Sequence, residues 1–202
     1  MTTETLEKPR KGPQQKRSRA RRAALVEHGV VLLNARDLDD LSISEITDGL
    51  GYSTGSFYSY FEDKTAFFVA VQEWVNEAQD ADIEAIFETD AVLDKALADR
   101  LTDCVTFATR YFRTHTGIVR SALRYERRVP AAWAPNRATT KRIIAGASRG
   151  LSDSDRERLE IAVQLAFGML VNALLHDPGP LHLDDPDLEP KITGALAPYL
   201  TQ

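Results

Sequence analysis

The sequence predicts an all-α fold, in which an N-terminal three-helix unit is joined by a long helix to a larger helical domain. Three observations predict it. Apolar residues recur at three- and four-residue spacing in nearly every segment after residue 16, with no period-two alternation. Residues 42–64, SISEITDGLGYSTGSFYSYFEDK, pack two helix starts and one tight turn into 23 positions. Residues 153–176 and 188–200 carry the densest apolar helical patterns of the chain.

Residues 1–15 are polar, with Pro9, Gly12 and Pro13, and read as a disordered basic arm. A first helix runs from about residue 16 to 34, with Leu25, Val26, Gly29, Val30 and Leu33 on its inner side. Ser42 followed three residues later by Glu45 is a capping box that opens the second helix. Gly51 supplies the left-handed residue that ends it. Ser53 caps a short third helix over 54–61, and Asp63 caps a fourth, whose period continues to about residue 87. Further helices are predicted over 91–115, 118–128, 131–151, 153–176 and 188–200, with Pro130 as a break. The domains are therefore a basic arm (1–15), a helix-turn-helix unit (16–63) and a helical regulatory and dimerisation domain (64–202).

Bulk composition narrows the function classes. The chain has 202 residues, is 43% hydrophobic and 27% charged, and shows no apolar run near the ~20 residues of a membrane span. The front end has no apolar secretory core, so a cytoplasmic location without membrane partners is expected. The single cysteine, Cys104, excludes an internal disulfide. His28, His115, His176 and His182 show no zinc spacing, and no Glu-x-x-His pair, glycine-rich phosphate loop or nucleophile elbow is present. No metal, cofactor or catalytic residue is expected, and the chain reads as a non-enzyme. Residues 1–35 carry eight Lys or Arg against three acids, in a chain whose net charge is −5. That asymmetry suits a local contact with phosphate rather than general coating of nucleic acid.

The third helix explains what the basic front end is for. On a helical wheel Phe57 and Phe61 share the side facing Ile43, Ile46 and Leu50. Gly55 and Ser59, flanked by Ser56 and Tyr58, point the other way. This uncharged, hydroxyl-rich face is small enough to enter a major groove ~12 Å wide. Leu50-Gly51-Tyr52-Ser53-Thr54-Gly55-Ser56-Phe57-Tyr58-Ser59-Tyr60-Phe61-Glu62-Asp63-Lys64 follows an apolar-Gly-x-Ser-x-Gly-Thr-apolar-Tyr-x-Tyr-Phe-x-x-Lys pattern, with Ser56 in the place of the threonine. Residues 17–75 thereby resemble the DNA-binding domain of TetR-family transcriptional regulators. The resemblance implies that Thr54, Gly55, Tyr58 and Ser59 face bases or groove-edge sugars. It implies phosphate contacts from Ser42, Ser44, Ser56, Tyr60 and Lys64, and from Arg17 and Arg19 on the first helix. Ser59, Tyr52 and Asp37 depart from the residues common in the family at those positions.

The resemblance also implies a homodimer on a palindromic double-stranded operator and an unidentified small-molecule effector. The last two helices would form the dimer interface through Leu159, Ala162, Val163, Ala166, Ala173, Leu188, Ile192 and Leu196, or else complete the core of one protomer. Candidate effector-binding residues are Phe107, Tyr111, Leu123, Trp133, Ile143, Phe167 and Leu170, with Arg120 and Asn172 as polar anchors. Such a lining favours a hydrophobic or planar molecule. Arg124, Arg127 and Arg128 form either an anion contact or a solvated face. The expected function is a ligand-responsive repressor; the alternative is an interaction or activator protein of the same fold.

Overall fold

Local chemistry sets most of the helix boundaries. The computed structural model describes residues 13–125 and 133–201. Among the described residues there are ten α-helices and no strand: α1 Pro13–Ala35, α2 Ile43–Asp48, α3 Thr54–Tyr58, α4 Lys64–Glu77, α5 Asp80–Phe87, α6 Leu97–Thr114, α7 Thr116–Tyr125, α8 Ala134–Ala147, α9 Asp153–Leu175 and α10 Leu188–Leu200. The all-α class is as predicted. Residues 1–12 of the basic arm, and Arg127, Arg128 and the break at Pro130, lie outside the described residues.

Helix α1 begins at Pro13, three residues ahead of the predicted start, because proline suits a first helical turn. The capping box forms as read: the Ser42 hydroxyl accepts from Glu45 N at 3.2 Å, and Ser42 N donates to Glu45 at 2.8 Å. Gly51 takes φ +66° and turns the chain toward α3. Helix α3 is shorter than expected because Tyr60 N and Phe61 N both turn back onto the Phe57 carbonyl, at 2.9 and 3.0 Å. Asp63 caps α4 by accepting from Ala66 N at 2.7 Å.

The long helix expected to reach residue 87 is broken. Helix α4 stops at Glu77 and α5 restarts at Asp80, and Arg142 of α8 holds carboxylates at both ends of α5. Its guanidinium donates to Asp80 at 2.5 Å and to Glu88 at 2.5 and 3.0 Å. Helix α6 starts at Leu97, not 91; Leu93 lies exposed in front of it. Arg100, only 3% exposed, explains the late start. It donates to the carbonyls of Leu93, Lys95, Ala147 and Arg149 at 2.6–3.3 Å, tying that loop to the end of α8. Helix α7 starts at Thr116, two residues ahead of the predicted start, α8 ends at Ala147 rather than 151, and Pro135 sits in the first turn of α8, where it is tolerated.

In the head, α1 packs on α2 and α4, and α2 on α3. Phe57, Phe61 and Phe67 stack with ring centroids 5.3–5.5 Å apart and fill its core with Leu25, Val26 and Ile46. In the rear domain α6, α9 and α10 pack mutually, while α8 lies across α4, α5 and α6. Helix α7 bridges the halves. It touches α1, the 3₁₀ turn Leu38–Asp40, α6 and α9. Against the sequence expectation, α9 is long and apolar enough by length and composition to cross a membrane. Only 28% of its apolar window is buried, and the helix packs against α6 and α10.

Candidate nucleic-acid interface and rear cavity

The outer side of the head is built on rigid supports. Phe57 anchors α3 from within, so Thr54, Gly55, Tyr58 and Ser59 all face solvent. Tyr58 is 58% exposed, its ring held edge-on by Phe57 at 5.5 Å. Ser59 donates to the Gly55 carbonyl at 3.0 Å, which leaves the hydroxyl oxygen free to accept. A Cβ at Gly55 would meet only the Ser53 hydroxyl, at 3.7 Å, so other matter can approach the backbone closely here.

The predicted phosphate contacts fall into two groups. Ser44, Arg17 and Arg19 are exposed. Ser42, Ser56, Tyr60 and Lys64 also serve the fold. Ser42 donates its hydroxyl to Glu45 at 2.7 Å, and Ser56 shares a hydroxyl contact with Ser53 at 3.2 Å. Tyr60 is half-buried against the core. Lys64 donates to the Leu41 carbonyl at 2.8 Å, which closes the loop ahead of α2. The Ser42 hydroxyl, its backbone N–H and the Arg36 guanidinium (2.8 Å) hold the Glu45 carboxyl down to about 2. Sequence reasoning missed Arg21 and Arg22. Arg21 stacks over Tyr52 at 5.8 Å and Arg22 over Phe61 at 5.3 Å, which brings the positive end of α1 beside the turn and α3. Their spacing of four from Arg17 and Ser18 marked that face only faintly.

The rear domain encloses a cavity of about 810 Å³. It lies where α8 and α9 both pack on α6 but scarcely touch each other. Phe107, Tyr111, Trp133, Ile143, Phe167 and Leu170 line it together, as their aromatic and apolar character suggested. Three candidates do not. Arg120 points from α7 toward Asp37, 3.7 Å away, because the head presents a carboxylate there. Leu123 of α7 is half-buried against the core and does not line the cavity. Asn172 belongs to the outward face of α9, with Ile161, Leu165, Gly168 and Met169.

One wall of the cavity is polar, which sequence reasoning missed. Asn136 of α8 donates to the Gln72 side chain at 2.7 Å and accepts from Asn76 at 3.3 Å and from the Tyr111 hydroxyl at 3.0 Å. Gln72 and Asn76 stand four apart on α4 among Phe68, Val71 and Val75, an amide pair on an apolar helix that the sequence does display. Burial pushes the Tyr111 hydroxyl well above its usual range, so it stays a proton donor. Burial, aided by the Asp103 charge, pushes the Cys104 thiol up to about 12, so this cavity-lining cysteine is not a nucleophile at neutral pH.

Most of the expected dimer residues fill the protomer instead. Leu159, Ala162, Ala166, Ala173, Leu188, Ile192 and Leu196 are buried between α6, α9 and α10, and Val163 lies half-buried on the cavity wall.

Head and rear are clamped through α7. Ser121 accepts from Leu38 N at 3.0 Å, Arg124 pairs with Asp37, and the Tyr125 hydroxyl donates to Asp39. The backbone of α7 at Gly117 rests directly on that of α1 at Leu33.

A short, outward α3 braced by α2 and α4 defines a helix-turn-helix unit, and the cavity domain behind it has room for a small molecule. The model of the tetR family of bacterial regulatory proteins matches residues 25–71. A TetR transcriptional regulator from Rhodococcus sp. RHA1 is similar in structure, with TM-score 0.59 and 22% identity over 93% of this chain and 98% of its own. A tetR-family regulator from Streptomyces coelicolor superposes with TM-score 0.66 and 18% identity over 90% of this chain and 80% of its own. RolR in complex with resorcinol gives TM-score 0.54 and 20% identity over 92% and 94%. No curated protein matches in sequence. Residues 25–71 are thus similar to the tetR family of bacterial regulatory proteins, and the whole chain has the fold seen in TetR-family transcriptional regulators.

Proposed function

We propose that this chain is a dimeric repressor whose grip on a palindromic operator is released by a small molecule in the rear cavity. The observation that carries the reading is the amide network. It joins the cavity wall, through Asn136, to Gln72 and Asn76 on α4, the helix whose first residue, Lys64, is bonded into the head. An occupant that hydrogen-bonds Asn136 or Tyr111 competes for these bonds, so it favours a different setting of α4 and hence of the head.

Residues 16–63 are the reader, with Thr54, Gly55, Tyr58 and Ser59 toward bases. Ser44, Arg17 and Arg19, joined by Arg21 and Arg22, lie toward phosphates, and residues 64–202 regulate. Two heads must sit about 34–36 Å apart to meet successive major grooves. The outward stripe of α9, Ile161, Leu165, Gly168 and Met169, supports a partner copy as its cover, since an apolar stripe of this kind on a protomer marks an interface. The resorcinol complex of RolR supports a small-molecule occupant in a cavity of this fold.

The test is a mobility shift of the purified chain on the DNA flanking its own gene. The expected result is a shift at low to moderate salt that Tyr58→Ala removes without lowering the melting temperature. No shift on any flanking fragment, or an unaltered shift with Tyr58→Ala, refutes the reader assignment.

A further inference from the structure

The cavity has a charged mouth in addition to its amide end. Its exposed lining lies on the α8–α9 side, where Arg137 and Lys141 of α8, Arg149 in the connecting turn and Arg156 of α9 stand against one carboxylate, Glu160. Arg149 is committed to Asp90 at 2.8 Å and to the carbonyls of Glu88 and Thr89. Lys141 and Arg156 form no ion pair among the described residues. The concentration of cations is local, in a chain whose net charge is −5. Low-dielectric walls such as Phe107, Ile143 and Leu170 focus the field of these cations into the opening. Ser148, also on the cavity lining, is buried, and its hydroxyl has no hydrogen-bond partner among the described residues. A buried polar group without a partner at a cavity wall is costly unless an occupant supplies one.

We propose that the effector is an amphiphilic anion. Its apolar or aromatic body lies between α6, α8 and α9, a polar atom reaches the Ser148 hydroxyl, and its acidic head group lies at the mouth between Lys141 and Arg156. This rests on the reading of the cavity as the effector site and adds the charge of its occupant. Lys141 and Arg156 select for the acid over a neutral analogue of equal shape, while Glu160 works against it. The geometry of the opening explains why the cations stand on two different helices: an anion held between them bridges α8 and α9, which otherwise scarcely touch.

The test uses two fluorescent probes that differ in one group, 8-anilino-1-naphthalenesulfonate and the neutral N-phenyl-1-naphthylamine, titrated into the full chain. Ala108→Trp, which fills the cavity from α6, should abolish binding of both. The double variant Lys141→Gln/Arg156→Gln should weaken the sulfonate about five- to tenfold, the size two partly exposed ion pairs supply, and leave the neutral probe within about twofold. Glu160→Gln should tighten the sulfonate about twofold and leave the neutral probe unchanged, a gain that a misfolded protein does not produce. Equal responses of the two probes to these variants, or no sulfonate binding that Ala108→Trp removes, overturn the proposal. Neutral-probe binding alone would leave the cavity reading standing and remove only the anion. Failure of the promoter shift with the sulfonate response intact would remove only the operator reading.

Discussion

Replacing Gly117 by alanine places a Cβ 1.8 Å from the Leu33 carbonyl oxygen, 3.0 Å from its carbon and 3.3 Å from the Asn34 carbon. All three are backbone atoms of α1 and cannot swing aside. A comfortable carbon–oxygen approach is about 3.3 Å, so α7 must retreat from α1 by roughly 1.5 Å. The retreat carries Ser121 out of reach of Leu38 N, now 3.0 Å away and buried. Overpacking costs about 1–3 kcal/mol and the stranded N–H about 1–3 more, against about 1 kcal/mol gained from better helix propensity. The net expectation is a loss of about 2–4 kcal/mol, which for a chain of this size lowers the melting temperature by roughly 5–15 °C. Thermal melts followed by circular dichroism measure it, with Gly55→Ala as the matched control. That substitution meets only the Ser53 hydroxyl at 3.7 Å and should leave stability equal or slightly higher. If Gly117→Ala melts at or above the parent chain, the close docking of α7 on α1 is wrong.

Three further outcomes are expected. Leu165→Glu puts a charge on the outward stripe of α9, where Leu165 is 48% exposed in the protomer; if the proposed dimer forms there, sedimentation should show it replaced by monomer with the fold intact. Arg100→Met removes a buried guanidinium from four carbonyls and should cost at least about 3 kcal/mol in denaturant unfolding, with no partner charge left behind to complicate the reading. His115 is held below the usual histidine range by burial, so the folded chain takes up its proton at lower pH than the unfolded chain. Its contribution is complete above the ordinary histidine value and is lost as pH falls through it. The melting temperature should therefore drop between pH 7 and 5, and His115→Phe should flatten that drop.

What the sequence disclosed was what short-range chemistry governs. The capping box at Ser42 and Glu45, the left-handed Gly51, the caps at Ser53 and Asp63, and the full span of α10 need only neighbours within four residues. The break after Glu77 has no glycine or proline to announce it. It coincides with a long-range contact, from Arg142 more than 50 residues away, which holds Asp80 and Glu88. The inner and outer faces of α9 could not be told apart because both are apolar; only the packing of α6 and α10 decides that Leu159 and Ala166 go in and Leu165 goes out. The placement of Arg120 was illegible for a similar reason. Its partner, Asp37, lies on a connector that the pattern of α7 says nothing about.

The Gln72–Asn76–Asn136–Tyr111 network separates two properties of any occupant. A hydrocarbon that merely fills the space beside Phe167 and Leu170 leaves those bonds in place, so under the proposed function tight binding by itself would carry no message to α4. Under the proposed function, an effector with its acidic group at the mouth must also place a donor or acceptor at that wall to reach the head, and a molecule stripped of that one atom would act as a competitor rather than an inducer.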